Sequence, residues 1–165
     1  MKHKVTLLTG SNDLLAVAIL LQAVEMLEER MGPTTKQSQI YPSEAWGFVT
    51  ENPFYNQALC FETDLSPLGV LDMAQEVEIL LGRDRDQEQA EREQTGSRYA
   101  SRRIDIDVIF YDDEVIRSER LTVPHPLLTE REFALRPLCE IMGEYRHPAL
   151  GGRLIDWLRS IEKIC

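Results

Sequence analysis

From Arg103 to Phe110 the chain alternates apolar with other residues, Ile104, Ile106, Val108 and Phe110 falling on one side and Arg103, Asp105, Asp107 and Ile109 on the other. A period of two is that of a β-strand with one apolar face, so this segment has to be a strand packed on one side. Asp105 and Asp107 then project together, about 6.5–7 Å apart along the backbone. Such a pair can hold one cation between the carboxylates or two side by side, and hard oxygen ligands suit Mg²⁺ or Mn²⁺. An ordinary solvated strand face is the plainer reading of a bare Asp-x-Asp. Here Asp is out of place in a run of strand formers, and Arg98, Arg102 and Arg103 stand just upstream. Carboxylates for a metal beside guanidinium groups for phosphate are what a metal-nucleotide site requires.

Charge is distributed in the same sense. The net charge of −10 excludes a broad non-specific nucleic-acid surface without excluding an anionic small ligand. Ten arginines, from Arg83 to Arg136, crowd into one third of the chain while all four lysines lie outside it. Arg grips phosphate oxygens with a planar, permanently charged fork, which a flexible Lys does not. Salt bridging to nearby acids accounts for some of the ten. With 165 residues and 43% apolar content the chain is expected to form one domain, residues 1–165, with a real core. Cys60, Cys139 and Cys165 have no metal-ligand or disulfide spacing and read as reduced thiols of a cytoplasmic protein. The apolar run from Leu14 to Leu21 continues into a polar helix, which argues against an export signal or a membrane span.

In chain order, Val5 to Leu8 predicts a buried strand, closed by a Gly10-Ser11-Asn12 turn that on its own is an ordinary connector, with Asn12 or Asp13 capping the next helix. That helix has its stripe at Leu14, Val17, Leu21, Val24 and Met26 or Leu27, and Gly32-Pro33 stops it. Lys36 to Tyr41 predicts an edge strand. A loop bearing Trp46 and Phe48 leads to a strand over Tyr55 to Thr63, and Asn56 could read the polar edge of a flat heterocycle held between aromatics, although packing against a core is the commoner fate of any one of them. Ser66-Pro67 starts a helix that ends at Leu81-Gly82. Arg83 to Thr95 has no period and is expected to be a mobile loop, placed to act as a lid. Asp112 to Glu114 should turn the Asp-x-Asp strand back into a return strand beginning at Val115-Ile116. Pro124 and Pro126 stiffen the segment carrying Arg120, Thr122 and His125. Leu127 to Ile141 and Leu154 to Ile164 predict two more helices, the first with Phe133, Leu135 and Leu138 inward.

The order strand, helix, strand, strand, helix, strand is ferredoxin-like: an α+β fold, an antiparallel sheet with helices on its faces and mobile catalytic loops. Gly10-Ser11-Asn12, Phe54-Tyr55-Asn56, Arg98 to Ile109, Arg120-Leu-Thr-Val-Pro-His125 and His147-Pro148-Ala-Leu-Gly151, together and in that order, resemble the 6-hydroxymethyl-7,8-dihydropterin pyrophosphokinases of folate biosynthesis. The resemblance implies transfer of the diphosphate of ATP to the pterin hydroxymethyl group with release of AMP. It implies two Mg²⁺ ions held by Asp105 and Asp107, with Arg85 and Arg102 closing over the phosphates. Gln75, Glu78, Arg85, Arg102, Arg120, Thr122, His125 and Arg131 match the nucleotide side. Ser43, Trp46, Phe54, Asn56 and Phe133 match the pterin side, the two phenylalanines stacking on the ring. The partners implied are these small molecules alone, without nucleic acid or membrane, for a monomer or weak dimer. Glu44-Ala45-Trp46 replaces a Pro-rich stretch usual in the family, Tyr99 stands where Trp is common, and Ala100-Ser101 replaces Gly-Pro. Two other readings use the same residues: a metal-dependent transferase with another acceptor, and a module that binds ATP or pterin without turnover.

Overall fold

The computed structural model describes residues 2–43, 53–83, 89–90, 93–94 and 103–164. Strand β1 (His3–Ser11) runs through the middle of the main sheet, between β4 (Phe54–Thr63) and β5 (Asp105–Tyr111). Outside β4 lie two short pieces of edge strand, β2 (Lys36–Gln37) and β3 (Tyr41–Ser43). Every pairing is antiparallel. Counting β2 and β3 as one interrupted strand, the order across the sheet is second, third, first, fourth, which is the ferredoxin-like order expected from the sequence.

Alternation along the strands builds two cores, one on each face. Val5, Leu7, Leu59 and Phe61 pack under α1 (Ala16–Met31) and α2 (Pro67–Leu80). Leu8, Ala58 and Ile109 pack under α3 (Glu132–Met142) and α4 (Leu154–Ile164), against Leu135, Leu138, Leu154 and Leu158. As anticipated, Ser66 caps α2, its hydroxyl accepting from the Gly69 N–H at 3.1 Å, and Gly82 follows the helix at φ 100°.

Six expectations need correction. The stripe of α1 that meets the sheet is Ala16, Ile19, Leu20, Ala23, Val24 and Leu27, while Leu14, Val17 and Leu21 are exposed. Residues 14–24 are apolar almost all round, so periodicity alone did not fix the phase; small Ala16 and Ala23 suit the side that lies on the sheet. Ahead of this helix, β1 continues through Gly10 and Ser11, and no side chain caps α1; Asp13 instead accepts from the Leu15 N–H. Strand β5 carries a bulge, because Thr6 pairs with Phe110 and Leu7 with Val108, leaving Ile109 as the extra residue. Phe110 is thereby turned to the α3/α4 core and Tyr111 to the other. The expected return strand does not pair with β5: β6 (Ile116–Arg117) forms a separate ribbon with β7 (Thr122–Val123). Finally, Leu127 to Ile141 is not one helix, since a single 3₁₀ turn, Leu128–Glu130, precedes α3. The expected edge strand from Lys36 is likewise broken at 38–40, where Ala58 N–H donates to the Ser38 hydroxyl at 2.9 Å.

Candidate active site

The register of four strands brings the sequence-predicted residues into rows. Asp105 of β5 lies opposite Gly10 of β1, Gly10 opposite Asn56 of β4, and Asn56 opposite Tyr41 of β3. Directly opposed residues share a sheet face. Asp107 pairs with Leu8, Leu8 with Ala58, and Phe54 with Ser43. Asp105, Asp107, Asn56, Phe54 and Ser43 therefore all stand on the α3/α4 face. With strands about 4.8 Å apart, Asn56 and Asp105 are separated by about 10 Å of sheet, and only a glycine stands between them.

Asn56 is buried. Its Nδ2 donates to the Thr9 carbonyl at 3.3 Å, and its Oδ1 has no hydrogen-bond partner among the described residues. A buried acceptor without a partner costs free energy that a ligand N–H can recover. Phe133 sits in the first turn of α3, packed at the border of the α3/α4 core, with the Arg131 guanidinium over its ring at 5.6 Å. Arg131 thus covers one face of that ring.

At the carboxylate end stands Arg83, in sequence one of the ten clustered arginines and the first residue of the polar stretch after Gly82, with no assigned role. Its Nη1 donates to Glu78 Oε2 at 2.9 Å and to Asp105 Oδ1 at 3.0 Å, and its side chain is only 6% exposed. Glu78 Oε2 also accepts from the Ile106 N–H at 2.8 Å. Glu78, expected beside the nucleotide, is thus a buried clamp between α2 and the outer edge of β5. The signal for Arg83 was its place directly after the Gly82 stop: a chain leaving a helix that packs on β5 turns back toward that strand.

The remaining predicted residues ring this pair. Gln75 lies one turn before Glu78 on α2, half-buried. Arg120 and Thr122 are exposed on the β6–β7 ribbon, and Arg120 is tied to Asp72 of α2. His125 Nδ1 accepts from the Leu127 N–H at 3.4 Å, which leaves Nε2 as its donor. Burial pushes the His125 imidazole below its ordinary range, Arg131 reinforcing the shift and Asp105 opposing it. The imidazole is thus neutral near pH 7 and still donates. Arg85, Arg102, Trp46 and the expected lid over Arg83 to Thr95 lie outside the described residues, apart from Arg83 itself and residues 89–90 and 93–94.

The chemistry of the donor set suits a hard divalent cation. Among the described residues no group of three or more His, Cys, Asp or Glu side chains forms a metal cluster. Mg²⁺ is commonly held by one or two carboxylates with substrate phosphates and water completing its shell, and Asp105 with Asp107 supplies that number.

By fold the chain is an α+β protein of ferredoxin-like order, and its sheet sets two carboxylates, Asp105 and Asp107, across Gly10 from a buried amide oxygen that has no hydrogen-bond partner among the described residues. Comparison with known proteins narrows the class. Residues 6–143 match the family described as 7,8-dihydro-6-hydroxymethylpterin-pyrophosphokinase (HPPK). The 2-amino-4-hydroxy-6-hydroxymethyldihydropteridine pyrophosphokinase of Aquifex aeolicus is 40% identical over 139 residues, 84% of this chain and 80% of that relative. The Bacillus subtilis protein of the same name is 35% identical over 141 residues, 85% and 78% of the two chains. A crystal structure of Plasmodium falciparum HPPK-DHPS superposes with a TM-score of 0.73 at 17% identity, covering 97% of this chain and 44% of that one, a likeness of fold. The chain belongs to the HPPK family of pyrophosphokinases.

Proposed function

We propose that this protein transfers the diphosphate of ATP to the hydroxymethyl oxygen of 6-hydroxymethyl-7,8-dihydropterin, yielding AMP and the pterin diphosphate for folate synthesis. The observation that carries the reading is the shared face of Asn56 and the Asp105/Asp107 pair, about 10 Å apart across Gly10. A bicyclic ring anchored by its polar edge at Asn56 has the reach to present its hydroxymethyl group at the carboxylates. Asn56 Oδ1 accepts a ring N–H, Ser43 and the Trp46 region contribute further edge contacts, and Phe54 and Phe133 stack on the ring faces. Arg120, Thr122, His125 and Arg131 hold the nucleotide from the ribbon and the start of α3, Gln75 and Glu78 flank it from α2, and Arg85 and Arg102 close over the phosphates. His125 serves as a neutral donor through Nε2.

Asp105 and Asp107 would hold two Mg²⁺ ions, whose charge would neutralise the diphosphate and polarise the attacking hydroxyl. What the chain itself supplies is position: the acceptor oxygen and the β-phosphorus are held in line, with guanidinium groups on the charge of the transferring group. The protein acts on small molecules as a monomer or weak dimer, residues 1–165 forming one catalytic domain. Free thiols at Cys60 and Cys139 fit a reducing, cytoplasmic setting, and no helix among the described residues is long and apolar enough to cross a membrane. The test is AMP formation from ATP and Mg²⁺ with and without the pterin. AMP that appears only with the pterin is the expected result. ATP binding without AMP formation would instead favour a binding module or a different acceptor.

A further inference from the structure

Within the row Tyr41, Asn56, Gly10, Asp105, Gly10 alone has no side chain, and its backbone gives no reason for that. It is an ordinary strand residue, paired on both sides and outside the left-handed region that favours glycine. The reason is space. A Cβ built on Gly10 would lie 2.6 Å from Asn56 Nδ2, far inside contact distance, but 3.6 Å from the Tyr55 carbonyl, an ordinary contact. The strand would accept a methyl group; the Asn56 amide would have to leave. Glycine inside a strand commonly marks such a close approach.

We propose that Gly10 is a positioning residue for ring recognition: its bare Cα lets the Asn56 amide lie across β1, with Nδ2 pinned to the Thr9 carbonyl and Oδ1 presented as an acceptor. This orientation gives the site a polarity. Because the amino group is already engaged at 3.3 Å and the buried oxygen has no hydrogen-bond partner among the described residues, the amide selects the N–H edge of a flat heterocycle over an edge of bare acceptors.

The inference rests on the pterin reading above, and its test separates the two. Gly10→Ala is expected to raise the Kd for 6-hydroxymethyl-7,8-dihydropterin at least tenfold while the Kd for ATP stays within twofold. In ligand-free protein the Asn56 side-chain amide resonance, assigned by its loss in Asn56→Ala, should move in Gly10→Ala. Gly10→Ala should also lower Tm in the wild-type background but not in Asn56→Ala, where the colliding group is gone. Pterin affinity within twofold of wild type, an equal loss for both ligands, or the same fall in Tm in both backgrounds would overturn the assignment. If Gly10→Ala alone fails to fold, a folded Gly10→Ala/Asn56→Ala protein still supports the collision, and an unfolded one refutes it. Wild-type protein that binds ATP but no pterin would instead remove the substrate reading, leaving the amide resonance and the Tm comparison to decide the packing.

Discussion

The two aspartates of β5 look equivalent in the sequence and are not equivalent in the fold. Asp105 accepts from the buried Arg83, which is itself held by Glu78, so its carboxylate is oriented before any ligand arrives. Asp107, two residues on, is paired across the ladder with Leu8 of β1. Asp107→Ala is expected to lower kcat by about 10³-fold or more, since an electrostatic group at the reacting centre is lost, with only a small change in Tm; near-normal turnover in that variant would remove Asp107 from the site. Arg83→Met tests the clamp. It leaves two carboxylates without their shared cation in a buried place, so urea unfolding should show a loss of about 3 kcal/mol, against little change for Gln75→Ala. An Arg83 variant as stable as wild type would mean that α2 and β5 hold their geometry without it.

Elements were legible where the residue pattern allowed only one answer. The strand around Asp105 and Asp107 was fixed by strict alternation, and α2 by Ser66-Pro67 at one end and Gly82 at the other. Where apolar residues were too many, the pattern was silent: residues 14–24 support more than one helix face, and packing on the sheet chose Ile19, Leu20 and Ala23. Leu20→Ala should therefore cost about 3 kcal/mol in urea unfolding, with Leu21→Ala within about 0.5 kcal/mol of wild type. A larger cost for Leu21→Ala than for Leu20→Ala would place the helix in the phase read from sequence. The bulge at Ile109 was hidden for a different reason, since Ile109, Phe110 and Tyr111 are all able to fill a core and only the pairing with β1 decides their faces. Within the site, the residue types Asp, Asn and Phe were readable as chemistry, whereas the Arg83–Glu78 clamp depends on where α2 ends in space.

At the scale of the whole molecule the main sheet has a functional end and a fastened end. Opposite the site, Asp112 closes β5 onto the start of β1: its Oδ1 accepts from the Lys4 N–H and its Oδ2 meets His3 Nδ1, both at 2.7 Å, while the Tyr145 hydroxyl donates to its carbonyl. Burial alone would raise the Asp112 carboxyl, but the Lys4 N–H and His3 outweigh it and hold the group below its usual range. A carboxyl lowered by folding contributes stability above its unfolded pKa, near 4, and loses that contribution as pH falls through the lowered native value. Asp112→Asn should therefore reduce Tm at pH 7, with the deficit shrinking below about pH 4 and the KM for both substrates unchanged throughout. A deficit that persists undiminished at low pH would assign the effect to shape instead of charge. The opposite border of the sheet has a consequence for the protein in crowded solution. Between Lys36 and Ser43 the outer strand is cut into pieces of two and three residues, and Pro42 offers no N–H. Another molecule's strand finds there no continuous ladder on which to extend, so this border gives little template for the edge-to-edge growth that leads to fibrils.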